Sequence, residues 1–237
     1  MSFFHHLKKP LETALEFSHC SFCGLGHTTT GLCHSCEVDI ELNEPSCSRC
    51  ASPVTSDVAQ ETSSYCGVCI KRPPPYQQVI TASRYHFPVD KALSDLKFNN
   101  QLHYARSLSH LLQKKIQAAY DEASRPEALV AIPLHPKRLS TRGFNQSELI
   151  AQHLEKSLAI PRFKALARVK DTPHQIGLSE KQRRKNLNNA FELQQPLPKK
   201  VALVDDVVTT GSTVSEAAKL CLKNGVDRVD VWCLAKT

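Results

Sequence analysis

The chain has 237 residues, of which 41% are hydrophobic and 22% are charged, and this composition excludes a disordered protein. No apolar run approaches the roughly 18 residues of a membrane-spanning helix, and the first residues lack the small-residue cleavage site of a secretory signal. We therefore expect a cytoplasmic protein with no membrane insertion. The net charge of +7 indicates a polyanionic partner.

The first predicted unit, residues 18–72, is rich in cysteine and poor in other residues that fill a core. Disulfide frameworks stabilise small secreted chains, and this chain has neither property, so we predict bound metal instead. Zinc ions held by cysteine thiolates would supply the constraint that the few apolar side chains cannot. Eight of the ten cysteines lie here, as the Cys-x-x-Cys pairs Cys20/Cys23, Cys33/Cys36, Cys47/Cys50 and Cys66/Cys69.

Eight thiolates provide two tetrahedral sites, and we predict two structural zinc ions in a double zinc-ribbon module. Sequential pairing closes the shortest loops, while a crossed pairing and an iron–sulfur cluster are the alternatives. Because four protein thiolates would surround each ion, neither site has an open position for chemistry. The predicted ligand sets are Cys20, Cys23, Cys33 and Cys36 for one ion, and Cys47, Cys50, Cys66 and Cys69 for the other.

A stiff run of prolines, residues 73–75, separates this module from a second predicted domain, residues 76–237. In the second domain, apolar runs typical of buried strands alternate with segments of helical periodicity. This alternation predicts an α/β fold with a parallel, doubly wound sheet. Strands are predicted at 79–85, 128–133, 200–208 and 228–236, and helices at 89–98, 102–116, 147–158 and 213–224.

The basic side chains are concentrated in the middle of the chain. Residues 84–185 contain 19 Lys and Arg against 9 Asp and Glu, a net charge of +10. Such an excess favours a polyanion, either nucleic acid or a multiply phosphorylated small molecule, and a merely solvated surface is the alternative. Aromatic rings that can stack bases lie in the same segment, although most are expected in the core: Tyr85, Phe98, Tyr104 and Phe144.

The predicted strand 200–208 ends in a motif that suits a sugar phosphate. Asp205 and Asp206 lie near its carboxyl end, where ligands bind in open parallel sheets. Their carboxylates can accept hydrogen bonds from ribose hydroxyls, with a bound Mg²⁺ offsetting the charge. Amide and hydroxyl groups of the following loop can wrap one phosphate, and the loop residues are Thr209, Thr210, Gly211, Ser212 and Thr213.

The segment 201–213 resembles the phosphoribosyl pyrophosphate (PRPP) binding motif of type I phosphoribosyltransferases. The resemblance implies a magnesium-dependent site for PRPP or a similar ribose phosphate, in which Asp205 and Asp206 are the catalytic residues that hold the ribose. It also covers the loop after the predicted strand 128–133. That loop would hold the pyrophosphate through His135, Lys137, Arg138 and Arg142.

A narrower resemblance covers nearly the whole chain. The segment 142–147, the stretch 168–190 and the cysteine-rich module together resemble the ComF/GntX family, bacterial proteins linked to competence and to the use of external DNA. By position, residues 168–190 correspond to the mobile loop that closes over PRPP in phosphoribosyltransferases, and a basic surface helix beginning at Ser179 is the alternative. On closure, the pyrophosphate would meet Arg168, Lys170, Arg183, Arg184 and Lys185.

Two functions of different classes follow from these resemblances. The first is a competence or DNA-utilisation protein with a PRPP-type site, which handles single-stranded DNA in natural transformation. A DNA-uptake helicase or a DNA-processing protein would be its protein partner. The second is an active phosphoribosyltransferase that transfers ribose 5-phosphate from PRPP to a nucleobase or related amine. A third alternative is regulation, in which PRPP as a ligand toggles DNA or partner binding.

Overall fold

The structure is a computed structural model that describes residues 19–54, 65–171 and 189–237. Part of the predicted mobile loop lies outside these ranges, including Arg183, Arg184 and Lys185 and the alternative helix start at Ser179. In the described ranges, no helix has both the length and the apolar character needed to cross a membrane.

The described elements follow one another in the order expected of an α/β domain. The strands are β1 (Val79–Arg84), β2 (Ala128–Ala131), β3 (Leu166–Arg168), β4 (Phe191–Leu193), β5 (Lys200–Val208) and β6 (Arg228–Lys236). The helices are α1 (His34–Val38), α2 (Gly67–Lys71), α3 (Val89–Phe98), α4 (His103–Ala119), α5 (Pro136–Arg142), α6 (Gln146–Leu158) and α7 (Ser212–Lys223). Every strand and helix predicted for residues 76–237 is present, with ends shifted by at most three residues.

A parallel sheet of four strands, in the order β1, β6, β5, β2, forms the centre of the fold. Side chains alternate between its two faces. In β6, Trp232 and Leu234 face the core shared with α3, α4 and α6, whereas Val231 and Cys233 face α7. Helices therefore cover both faces, which explains why β5 and β6 read as continuous apolar runs. The predicted parallel, doubly wound α/β fold is confirmed.

Apolar residues at helical spacing position the helices on this sheet. In α4, Leu108, Leu112 and Ile116 recur on one face and are buried against the sheet and α6. The buried face of α7 has smaller side chains, which lets the helix pack closely beside β5 and β6: Val214, Ala217, Ala218 and Cys221. The helix starts at Ser212, four residues after the carboxyl end of β5, and the candidate site lies at this point.

Strands β3 and β4 form a separate two-stranded antiparallel sheet that the sequence pattern does not predict. Arg168 pairs with Phe191, so the two ends of the predicted loop 168–190 are held side by side. The predicted pyrophosphate loop also differs from expectation, because it continues at once into α5. Three-residue strands and a seven-residue polar helix have too short a pattern to be read from sequence.

The cysteine-rich segment packs against the second unit. Cys20, Leu32 and Ile40 are buried in the same hydrophobic core as α4. The Ser107 hydroxyl of α4 donates to the Gly31 carbonyl at 3.1 Å. Ion pairs also join the cysteine-rich segment to the rest of the chain, between Arg84 and Glu41 (2.8 Å) and between Lys114 and Glu37 (2.6 Å). The predicted division into residues 18–72 and 76–237 stays a prediction.

Candidate functional site

The turn that follows β5 is built around a glycine. Gly211 has φ +73°, a left-handed conformation that disfavours other residues. A Cβ atom there would lie 2.9 Å from the hydroxyl oxygen of the buried Tyr76. The hydroxyls of Thr210 and Ser212 are 2.9 Å apart, and the Ser212 amide donates to Thr210 Oγ1 at 3.4 Å. Helix α7 begins at Ser212, which places a helix N-terminus at the turn. The turn thus offers the kind of donors expected for a phosphate.

The two acidic residues of β5 are held by side chains from different helices. Asp206 is buried, and its Oδ2 accepts from Lys97 Nζ at 2.8 Å and from Gln146 Nε2 at 3.2 Å. Asp205 Oδ1 accepts from the Ser147 hydroxyl at 3.0 Å and from the Asp206 amide at 2.9 Å. The carboxylates are therefore oriented before any ligand binds.

Burial and the adjacent Asp206 carboxylate raise the pKa of Asp205 to about 7. Hydrogen bonds from Ser147 and the Asp206 amide, together with the Lys97 charge, oppose this shift but do not cancel it. The two acids therefore differ in environment, because Asp206 has the ion pair with Lys97 and Asp205 has neutral donors.

A cleft of about 380 Å³ opens at the carboxyl end of β5. It brings together residues from the PRPP-like motif, the predicted pyrophosphate loop and the predicted mobile loop. Lys97 and Tyr85 also line it. Arg168 is largely buried in this wall, and burial lowers the pKa of its guanidinium. The predicted residues that line the cleft are Asp206, Thr209 and Thr213 from the PRPP-like motif, Arg138 from the predicted pyrophosphate loop and Arg168 from the start of the predicted mobile loop.

The other residues of the turn after β5 line a neighbouring cavity of about 370 Å³. Thr210, Gly211 and Ser212 form one side of this cavity, and Cys50 and Cys69 lie on the other. Thr209 lines both spaces. The second cysteine cluster is therefore a direct neighbour of the turn, which the sequence did not predict.

Of the four residues predicted to hold pyrophosphate, Arg138 alone lines the cleft formed by the described residues. His135 caps α5, and its Nδ1 accepts from the Lys137 amide at 3.4 Å. Lys137 Nζ lies 3.4 Å from an oxygen of Asp171. The Arg142 guanidinium lies 5.5 Å from the centre of the Phe98 ring. Pyrophosphate binding by these four residues stays a prediction.

Sequence reasoning missed three side chains that position the acids. Lys97 lies in the last turn of α3 and pairs with Asp206, although nothing in a helical lysine signals such a partner. Gln146 and Ser147 lie in the segment 142–147 that carried the family resemblance, but they had no assigned role. Asn145 explains their position, because its amide donates to the Ile132 carbonyl at 3.0 Å and fixes the start of α6 beside β2.

The eight cysteines form two groups with the predicted sequential pairing, and the crossed alternative is wrong. Within each group, the sulfur atoms lie within 4.8 Å of one another. Cys23 Sγ and Cys33 Sγ are 3.8 Å apart, and Cys50 Sγ and Cys66 Sγ are 3.6 Å apart. Tetrahedral zinc with Zn–S bonds of about 2.3 Å places sulfurs about 3.8 Å apart, so both groups fit zinc.

The two clusters repeat one local design. The first pair of each cluster lies in a turn that closes with positive φ, at Gly24 (+73°) and Ala51 (+55°). The second pair begins at the N-cap of a five-residue helix, α1 or α2, and its first amide donates to the leading sulfur at 3.4 Å or 3.2 Å. Backbone amides of Gly26 and Leu25 lower the pKa of Cys23 to about 6, whereas burial and the neighbouring cysteines raise the pKa of Cys36 in the same cluster. A bound metal ion would hold both as thiolates.

The chain is thus an α/β protein in which a parallel sheet, with an acid pair and a hydroxyl turn after β5, is joined to two four-cysteine clusters that fit metal ions. No family model matches the chain. The chain is 37% identical to DNA utilization protein YhgH of Escherichia coli O157:H7, over 90% of this chain and 92% of the relative. It is 38% identical to competence protein F of Haemophilus influenzae, over 87% of this chain and 90% of the relative. The chain therefore belongs to the ComF/GntX family of competence and DNA-utilisation proteins.

More distant similarities extend to other bacteria and to a solved structure. Competence protein ComFC of Streptococcus pneumoniae is 28% identical, over 95% of this chain and 96% of the relative. A purine phosphoribosyltransferase from Pyrococcus horikoshii superposes with a TM-score of 0.32 and 14% identity, over 67% of this chain and 86% of that one.

Proposed function

We propose that this protein binds PRPP or a similar ribose phosphate with Mg²⁺ in the cleft at the carboxyl end of β5, and that it handles single-stranded DNA. One observation carries the first part. Residues from the PRPP-like motif, the pyrophosphate loop and the mobile-loop segment, which are far apart in sequence, line one cleft: Asp206, Thr209, Thr213, Arg138 and Arg168. A DNA-binding surface alone would have no need of two oriented acids.

Each group in the cleft has a distinct task in this proposal. The turn after β5 receives the 5-phosphate through the α7 N-terminus and the hydroxyls of Thr209 and Thr213. Asp206 accepts from ribose hydroxyls, and Ser147 keeps the Asp205 carboxyl in line beside it. Arg138 and Arg168 line the same cleft and would neutralise the pyrophosphate.

The donor set also fits magnesium. The Asp206 carboxylate and the hydroxyls of Thr209 and Thr213 line the cleft, and they are hard oxygen ligands of the kind that Mg²⁺ prefers. Lys97 already pairs with one Asp206 oxygen, so the ion would rely mainly on water and on oxygens of the bound phosphates. When bound, Mg²⁺ would neutralise charge on the pyrophosphate.

Binding of PRPP can be tested by calorimetry with Mg²⁺. The double variant Asp205→Asn/Asp206→Asn should lose binding, because it removes both carboxylates and leaves the volume of the cleft unchanged. The matched control is Asp121→Asn/Asp227→Asn, which makes the same two substitutions around a separate surface cavity. Equal binding by the wild type and the first variant would contradict the proposal.

The DNA part of the proposal draws on the names of the relatives and on charge. Residues 84–185 have a net charge of +10. Phe98 is 67% exposed, and Arg142 lies over its ring, whereas Tyr85, Tyr104 and Phe144 pack against the core. An exposed ring with a stacked guanidinium can hold an unpaired base.

Binding of a single-stranded oligonucleotide should therefore weaken steeply with salt, because each neutralised phosphate releases counterions. A plot of the logarithm of affinity against the logarithm of salt concentration would measure the effect. A flat plot would contradict binding through the basic segment.

The acid pair favours a second candidate, an active phosphoribosyltransferase, because two oriented carboxylates serve a ribose that reacts as well as one that is only bound. The test is pyrophosphate release from PRPP and Mg²⁺ across a panel of nucleobases, with Asp205→Asn/Asp206→Asn as the blank. Release with one base, lost in the blank, would establish the enzyme. Binding of PRPP without release would favour a ligand-sensing role.

A further inference from the structure

A second groove lies on the helical face of the molecule, away from the cleft at β5. It has a volume of about 470 Å³ and runs between α4, α6 and residues 29–30 of the first cysteine cluster. Among the residues that the structure describes, none that lines it is acidic. Its cationic and imidazole side chains are Arg106, His110, His153 and Lys156.

A buried hydroxyl in this groove has no hydrogen-bond partner in the described structure. Ser109 is 3% exposed, and its Oγ is unpaired. An unsatisfied buried polar group costs stability, and a core position of α4 would normally carry an apolar residue. Its neighbours Leu108, Leu111 and Leu112 follow that rule. A hydrogen bond from the Ser109 hydroxyl to a polar ligand would therefore remove the free-energy cost of this unpaired buried group.

The electrostatics of the groove favour an anion. Burial, followed by the charges of Arg106 and Lys156, lowers the pKa of His153 to about 4. The positive charges of Arg106 in α4 and Lys156 in α6 therefore both act at the His153 ring. His110 also has a lowered pKa, caused by burial and then by Lys114, and opposed by Glu37.

The loop of the first cysteine cluster makes a fixed wall. The Thr28 and Thr30 hydroxyls are 3.0 Å apart, and both donate to the Leu32 carbonyl at 3.1 Å. Arg106 Nη2 donates to the Thr29 carbonyl at 3.2 Å, which ties α4 to this wall. The groove is thus formed before a ligand binds, so little ordering entropy opposes binding.

We propose that this groove is a second anion site, which takes a phosphate group carried by a nucleotide or by a nucleic-acid strand. It is distinct from the proposed PRPP cleft. Ser147 contacts Asp205 at one end of α6, whereas Lys156 lies nine residues further along the helix. At about 1.5 Å per residue, the two positions are roughly 13 Å apart.

The test uses the full chain with its zinc and follows the imidazole signals of His110 and His153 by nuclear magnetic resonance. Three probes are titrated: inorganic phosphate, thymidine 5′-monophosphate and a single-stranded oligonucleotide. At least one should shift both histidine signals. Comparable affinity for the nucleotide and the oligonucleotide indicates a free nucleotide as the source, and much tighter binding of the oligonucleotide indicates a strand.

Two variants and one control identify the site. Lys156→Ala and Ser109→Ala should each weaken binding of the active probe by about tenfold, the effect of one charge-assisted hydrogen bond. Lys223→Ala is the matched control, because Lys223 is the basic residue in the last turn of α7 as Lys156 is in α6. The control should bind like the wild type.

The proposal is wrong if none of the probes shifts the histidine signals, or if Lys223→Ala weakens binding as much as Lys156→Ala does. Ser109→Ala separates a ligand contact from a purely structural hydroxyl. A structural role would leave binding unchanged, and unfolding stability would stay the same or rise because an unpaired buried group is gone. Weaker binding with undiminished stability would support the ligand contact.

Discussion

At the scale of single residues, the candidate site depends on side chains that have partners within the protein before a ligand arrives. Asp206 has Lys97 and Gln146, and Asp205 has Ser147. The motif residues could be identified from sequence, because their types and spacing are specific. Their partners could not, because a lysine or a serine at a helix end is common and its contact depends on packing.

Gly211 and Gly225 differ in one respect that a mutation can measure. Both have positive φ, at +73° and +91°, but a Cβ atom meets Tyr76 only at Gly211. Gly225→Ala should lower the free energy of unfolding by about 1 kcal/mol through backbone strain. Gly211→Ala should cost about 2 to 3 kcal/mol, because Tyr76 must also move.

Urea denaturation of the two variants checks this difference. The double variant Gly211→Ala/Tyr76→Phe should recover part of the loss, because it removes the oxygen that lies 2.9 Å from the added Cβ. Equal losses for both glycine variants would mean that the contact with Tyr76 has no energetic effect.

The raised pKa of Asp205, about 7 in the fold, makes stability depend on pH. An unfolded aspartate titrates near 3.9, so the folded state binds the proton more tightly. The resulting stabilisation is complete below about pH 4 and is lost as the pH rises to about 7. Asparagine does not titrate, so the Asp205→Asn variant does not lose this stabilisation as the pH rises. The variant should therefore gain stability relative to the wild type between pH 4 and pH 8.

This comparison needs unfolding curves in magnesium-free buffer at both ends of the pH range. Asp227→Asn, which replaces an exposed aspartate paired with Lys199, serves as the control for the substitution itself. A difference between Asp205→Asn and wild type that does not change with pH would refute the raised pKa.

At the scale of elements, the two cysteine clusters have the same local design but different surroundings. The first packs on α4 through Cys20 and Leu32. The second borders the cavity that contains the turn after β5. The grouping of the cysteines was predictable from spacing, because short loops favour sequential pairing. Their neighbours were not, because these depend on how the module lies on the sheet.

Loss of one ligand from each cluster should therefore have different effects. Cys36→Ser and Cys69→Ser should each release about one zinc ion per chain, because a closed site needs four thiolates. Only Cys69→Ser should also weaken PRPP binding, since Cys69 lines the cavity beside Thr210 and Gly211. Metal analysis and calorimetry would measure the two effects. Equal PRPP affinity in both variants would show that the second cluster does not support the turn.

At the scale of the whole molecule, the cysteine-rich segment and the parallel sheet share a hydrophobic core. Two domains joined by a proline linker would unfold separately, whereas a shared core predicts one cooperative transition. Trp232 reports on this point, because it is the one tryptophan of the chain and is fully buried in β6.

Removal of zinc by a chelator should move the Trp232 fluorescence transition to lower denaturant concentration. The reason is that loss of the clusters loosens Cys20, Leu32 and Ile40, which pack in the same core as Trp232. A variant that keeps zinc but weakens the parallel sheet, such as Val231→Ala, should shift the same transition with chelator absent. An unchanged Trp232 transition after zinc removal would instead support two independent domains.

The sequence by itself determined the parallel α/β fold, the four strands of the central sheet, the helices α3, α4, α6 and α7, the cysteine spacing that favours sequential grouping, and the acid and hydroxyl motif after β5. These features are local, since apolar periodicity and residue spacing are visible within one segment. Only the tertiary structure decided that Lys97 meets Asp206, that Arg142 lies over Phe98 and that the first cysteine cluster completes a groove beside α4. Such contacts join segments distant along the chain, and strand order and helix packing, rather than any local pattern, bring them together.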